Sequence, residues 1–427
     1  MALTKERRKQ YLEIMLWCLA AAYFCIELLQ FGQTVKRMIV VGGVCAISVL
    51  IHAKRTWADS DYGSGVLGLK QKAGRDYRYD WLRCLAVMMV ILTHAVQADL
   101  HEGFIQDERA EFVLTVFYML CLACNLIYVM LSGALLLPYK EESAWKFYVK
   151  RISTVALPMG IYYVFYMWQA RELDGHIPWG TIRDLLLRLC QGTTPESPHY
   201  WLMYVLLSIY LAVPFFRYMF RNMPYKVLTG LVGISMALMA LDLFCPIALG
   251  ISSFLGKWEG IAIMGYWVTR PETKKYYHRL VGLGLAAFGV MVAMIGYGLD
   301  YRTLCANHSP VMALICMGMF AFVLENRVVF ERGNAGLRIL GKYSYSLILV
   351  HWWALYGIVR EKYQIHVGQY CGGGLFLTLI LTLLVSLIAS VLIDNLIVMP
   401  VQLVFAGGMK KVETLGAQIC HRWKKKE

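Results

Sequence analysis

Apolar residues along this chain fall in blocks of about twenty, separated by short charged loops. That block length is what a helix needs to cross roughly 30 Å of hydrocarbon. Read in order, the pattern predicts a first pair of spans over 11–31 and 38–53, then a polar stretch from Lys54 to Tyr79. Ten further spans follow, over 80–98, 113–137, 153–170, 200–216, 227–245, 250–268, 280–298, 309–325, 342–359 and 373–393. The stretch 394–406 reads as an interfacial continuation of the last. The expected fold is all-α, a polytopic transmembrane helical bundle of about 12 spans. It divides into a two-span hairpin with a cytoplasmic linker (1–79), a ten-span membrane domain (80–406) and a basic tail (407–427).

Composition excludes a soluble alternative. Of the 427 residues 59% are hydrophobic and only 16% charged, and mean hydropathy is +0.52. The first block, Tyr11 to Phe31, is too long for a signal-peptide core and is not followed by a small-residue cleavage site, so it reads as a retained span. Several of the twelve cysteines lie inside apolar blocks, where they behave as small hydrophobes and imply no disulfide framework and no metal.

The net charge of +14 would in a soluble chain suggest nucleic acid, but sorting the basic residues gives it another meaning. With the N-terminus inside, and Lys257 near the outer end of its span counted with the external side, 31 of the 42 Lys and Arg residues fall on the cytoplasmic side and 10 on the external one. This asymmetry is the positive-inside signature, and it places both termini in the cytoplasm of a plasma-membrane protein. Arg83 is left within a span.

Ionisable residues inside spans are costly and so are functional candidates. His94 and His351 are the two histidines deep in apolar blocks. Arg83 and His94 are eleven residues apart, which at about 100° per residue is three turns plus about 20°. Both therefore project from one helix face, with Asp80 on the same stripe and His94 about 16 Å beyond Arg83. Each has a plainer reading: a lone intramembrane histidine can bond a neighbouring helix, and an arginine can snorkel to the interface. Asp242 and Asp394 also lie in or near spans, with no partner evident from sequence.

Several motifs extend the pattern. Arg78-x-Asp80-x-x-Arg83 precedes His94; Leu131-Ser132-Gly133 closes the next span; Lys150-Arg151 and Pro158 follow. Then come His199-Tyr-Trp201, Tyr210 and Pro214, and finally Gly341-Lys-Tyr-Ser-Tyr-Ser-Leu-Ile-Leu-Val-His351. In order and spacing these resemble the integral-membrane acyltransferase-3 family over residues 80–406. The absence of an acid after His199-Tyr-Trp201 resembles the branch of single-domain O-acetyltransferases acting on cell-envelope sugars.

The resemblance implies transfer of an acyl group, most often acetyl, from cytoplasmic acyl-CoA to a hydroxyl of an envelope sugar or glycan. Histidine chemistry agrees, since an imidazole can take a hydroxyl proton or accept the acyl group itself. His94 takes that role and His351 is a second acid or base. Arg83 and Arg151 would hold CoA phosphates, because guanidinium matches phosphate geometry, with Lys150 a more exposed helper. Ser132 could donate to the cofactor, although a Ser-Gly pair also permits close helix packing. His199 and Trp201 would bind the acceptor on the external face. The competing class is a secondary transporter of a small polar solute, whose sites also lie at the bilayer midplane. No internal repeat or paired Gly/Pro-interrupted spans support it.

Overall fold

The computed structural model describes residues 4–30, 35–71, 73–169, 179–192, 194–244, 255–369 and 373–424. Among these there are helices and no strands. The principal ones are α1 (Lys5–Gln30), α2 (Val35–Ala58), α3 (Tyr77–His101), α4 (Glu108–Cys121), α5 (Ala123–Leu136), α6 (Ala144–Arg151), α7 (Leu157–Gln169) and α8 (Trp201–Phe220). They continue with α9 (Tyr225–Phe244), α10 (Trp258–Val268), α11 (Tyr277–Gly296), α12 (Pro310–Glu325), α13 (Ala335–Trp353), α14 (Gly373–Ile393) and α15 (Met399–Lys424). Six helical stretches among the described residues are long and apolar enough to cross a membrane, with α12 a shorter apolar helix. Of the predicted spans, residues 31, 170, 245 and 250–254 lie outside the described residues; the other described helices are shorter, more charged or interrupted. Beyond α14 the helix runs on to Lys424 through one wide turn, in place of a separate interfacial piece.

Helix starts are set locally. Asp76, Asp107, Ser143, Ser309 and Asn334 each accept a backbone N–H of the first turn of α3, α4, α6, α12 and α13. Such caps satisfy donors that the helix itself cannot.

The chain forms two compact units. One comprises 71–142 and 201–387. Its helices approach closely where side chains vanish: a Cβ on Gly133 would lie 1.8 Å from the Ala262 carbonyl oxygen, and one on Gly265 would lie 2.1 Å from that of Met130. Only glycine permits α5 and α10 this separation, the usual device where apolar lipid gives helices little drive to associate.

The other unit comprises 1–70, 143–200 and 388–427. Two prolines shape it. Pro158 follows the π-helical turn Ile152–Ala156, and Pro400 follows a second such turn, Asp394–Val398. A proline has no N–H, so carbonyls four and five residues earlier lose their donor. For Pro400 these are Leu396 and Asn395, and both are taken by α2: Ser48 Oγ donates to Leu396 at 2.5 Å and His52 Nε2 to Asn395 at 3.1 Å. For Pro158 the Ser153 carbonyl accepts from Gln402 Nε2 at 2.8 Å. His52 is fixed further by Tyr62 Oη on Nδ1 at 2.9 Å and by Trp17, whose ring stacks at 3.9 Å. Trp17, Ala21, Cys45, Val66 and Leu396 form the apolar core here.

His52→Phe keeps a ring for Trp17 but leaves the Asn395 carbonyl without its donor. It should lower stability by about 1–3 kcal/mol, the cost of an orphaned buried polar group. The check is a lower unfolding midpoint in detergent, and an unchanged midpoint would show that the carbonyl does not need α2.

Candidate active site

Helix α3 presents Asp80, Arg83 and His94 along one stripe. A carboxylate buried among apolar groups must be paired, and Asp80, fully buried, is paired twice. Arg83 Nη1 donates to it at 2.7 Å, and Arg75 donates through Nε and Nη2 at 2.6 and 2.9 Å. Gly341 of α13 makes room, since a Cβ there would stand 3.0 Å from Asp80 Oδ1. Two guanidiniums on one carboxylate leave a net positive charge, and Arg83 remains partly exposed.

Farther along α3, His94 meets His351 of α13. The rings stack with centroids 5.3 Å apart and planes 24° apart, and Trp352 meets His94 edge-on at 5.0 Å. Tyr356 Oη donates to the His94 carbonyl at 3.3 Å. The two histidines differ in setting. His351 is buried, with Nδ1 2.7 Å from the Ile348 carbonyl oxygen. A carbonyl can only accept, so Nδ1 carries the proton and Nε2 keeps the lone pair. His94 is half-buried, and its ring nitrogens make no hydrogen bond among the described residues. One imidazole is anchored and its neighbour is open to a reactant.

A buried ion pair closes the other end. Arg360 lies in the π-helical stretch Ala354–Lys362 that follows His351; its Nη1 donates to Asp99, five residues past His94, and its Nη2 donates to Glu102 at 2.8 Å. Asp99 also accepts the N–H groups of Val367 and Gly368, and His366 Nδ1 lies 3.4 Å away. The helices bearing the two histidines are therefore joined just beyond them. Sequence reading misses this clasp, because Asp99 sits one residue past the predicted span and Arg360 reads as a loop charge.

The remaining sequence candidates are dispersed. Ser132 is buried in the same unit, donates to the Tyr128 carbonyl at 3.0 Å and lies 3.3 Å from Tyr210 Oη, beside the tight α5–α10 crossing at Gly133. Trp201, 41% exposed, packs on Trp258 at 5.6 Å, and Trp258 meets His308 at 4.4 Å. Trp258 and His308 are not singled out by the sequence. Burial, helped by nearby Lys257, pushes the His308 imidazole down to about 4, so it is neutral at pH 7. Asp242 is paired with Lys257 at 2.7 Å, and Asp394 accepts from Tyr162 Oη at 2.9 Å.

Arg151, Lys150 and His199 belong to the second unit. Arg151 ends α6 with its guanidinium over Phe147 at 5.2 Å, and Lys150 is exposed. His199 is buried in the turn Pro198–Tyr200, edge-on to Tyr166 and Tyr200 at 5.5 and 4.9 Å.

A chain that is helical through its described residues, with several helices long and apolar enough to cross a membrane, is a multi-pass membrane protein, and the stacked imidazoles, one of them on the stripe of a half-buried arginine, mark its candidate site. The acyltransferase-3 family model, described as an acyltransferase domain, matches residues 76–394, and the chain belongs to that family. No curated protein matches the chain. No solved structure matches it either.

Asp99→Ala leaves buried Arg360 with Glu102 as its remaining carboxylate partner and orphans the Val367 and Gly368 N–H groups, and should destabilise the protein by about 1–3 kcal/mol. Adding Arg360→Met should recover part of the loss. Unfolding midpoints in detergent test both, and equal midpoints for single and double variants would show that the pair does not act as a unit.

Proposed function

We propose that this membrane acyltransferase moves an acyl group, acetyl on the family resemblance, from cytoplasmic acyl-CoA to a hydroxyl of a cell-envelope sugar or glycan. The observation that carries the reading is the stacked pair His94 and His351, 5.3 Å apart, with His94 on the stripe of Arg83. The one-sided distribution of Lys and Arg supports both termini in the cytoplasm, a twelve-span plasma-membrane topology and an Arg83 that faces the inner leaflet.

In that frame Arg83 binds donor phosphate. His94, with unengaged ring nitrogens, takes the proton of the acceptor hydroxyl as its oxygen attacks the thioester carbonyl carbon. The carbon–sulfur bond breaks, the imidazolium returns the proton to the CoA sulfur, and the products are an ester and free CoA. His351, anchored through Nδ1, holds the His94 ring by stacking and offers Nε2 as a second base. Trp201, Trp258 and neutral His308 suit a sugar, offering aromatic surface beside a polar tip.

His94→Ala should abolish transfer of radiolabelled acetyl groups from acetyl-CoA to glycan in inside-out vesicles while insertion is unchanged; retained transfer would remove His94 from the mechanism. Arg83→Lys should raise KM for acetyl-CoA about tenfold, since a point charge replaces a bidentate fork. An unaltered KM would end the phosphate assignment.

A further inference from the structure

We infer that the cleft at the N-terminal end of α3 holds the phosphorylated nucleotide of the donor, the phosphoadenosine end of coenzyme A. The inference rests on acyl-CoA being the donor. The cleft has a volume of about 690 Å³, and its lining includes Arg75, Tyr77, Arg332, Gly333, Gly74 and one acid, Glu331. That volume lies in the range of sites for whole small molecules and exceeds what one phosphate needs.

Its walls are built for an anion. Arg332 is exposed and has no hydrogen bond or ion pair among the described residues. Arg75 is fixed by its two bonds to Asp80, which fix a guanidinium without consuming all five of its donors. Glu331, the acid of the lining, is engaged by Arg327 at 3.7 Å. With Asp80 shared between Arg75 and Arg83, the cleft and its floor carry a positive surplus.

Two glycines keep the walls bare. Gly333 lies so close to Tyr77 that a Cβ would stand 2.4 Å from the ring, and Gly74 has φ +72°, a conformation side chains disfavour. Backbone and ring thus form a smooth surface beside the two guanidiniums.

Position completes the argument. The arginine of the cleft and the arginine of the span hold the same carboxylate, so the cleft adjoins the start of the stripe that carries His94. Tyr77 and His94 are seventeen residues apart on α3, about 26 Å at the helical rise. A single ligand serving both ends must be long, anionic at one end and reactive at the other. Coenzyme A thioesters have that form, with a flexible pantetheine arm between diphosphate and thioester.

The test uses the full-length protein in lipid nanodiscs and compares two donors, acetyl-CoA and S-acetylpantetheine, which lacks the nucleotide. In Arg332→Ala, the ratio of kcat/KM for acetyl-CoA to that for S-acetylpantetheine should fall about tenfold, and binding of adenosine 3′,5′-bisphosphate by calorimetry should weaken by a similar factor. Gly333→Leu, which fills the cleft, should act in the same direction. An unchanged donor ratio with unchanged nucleotide binding, in a protein that does consume acetyl-CoA, overturns the cleft assignment and leaves the acyltransferase reading standing. If the unaltered protein neither binds CoA nor consumes acetyl-CoA, the donor reading fails and this inference falls with it.

Discussion

A carboxylate buried at each end of α3 holds the site together. Asp80 near the start and Asp99 near the finish are both fully buried, and each is neutralised by arginine from outside the helix. Neither charge could stay in an apolar setting alone, so the partners must come to the helix. At the start the partner is Arg75, and at the finish it is Arg360, on the chain that has just left α13. Between the two anchors α3 and α13 run side by side, and His94 and His351 meet there. Ala95, Val96, Leu355 and Val367 fill the space beside them with apolar surface. The imidazole pair is thus a consequence of how two charges are housed.

The same demand for satisfied polar groups explains the first two helices. They fall outside the matched segment 76–394, and sequence supplies no role for them. Ser48 and His52 on α2 supply the donors that Pro400 withholds from Leu396 and Asn395. In a hydrocarbon environment such carbonyls have no water to turn to. The hairpin therefore completes the hydrogen bonding of the final long helix in its own unit.

Much of the site could be read from residue spacing. Helical periodicity alone puts Asp80, Arg83 and His94 on one stripe, and the Asp80–Arg83 bond at three residues' separation is what that stripe allows. Depth within apolar blocks singles out His94 and His351, which the fold brings into ring contact. Pairings across long separations escape such reasoning. Asp99 and Arg360 are 261 residues apart, and Arg75 lies in what reads as a plain linker. The grouping of His199 with Trp201 follows adjacency in sequence, yet one is buried among tyrosines and the other is exposed beside Trp258. The wide turns at Ile152–Ala156, Ala354–Lys362 and Asp394–Val398 leave no periodic signal in the sequence.

The wide stretch after His351 has a consequence for phase. His351 and Arg360 are nine residues apart, two and a half turns of a regular helix, which would set them on opposite faces. Both nevertheless reach α3, one through His94 and the other through Asp99. The added residues per turn of the π geometry act as an insertion that rotates the later part of the helix back toward its neighbour. A single change of winding thus lets this helix reach the same neighbour twice, once for the ring pair and once for the charge pair. The length of segment 354–362 is accordingly under a constraint of register that its individual side chains do not reveal.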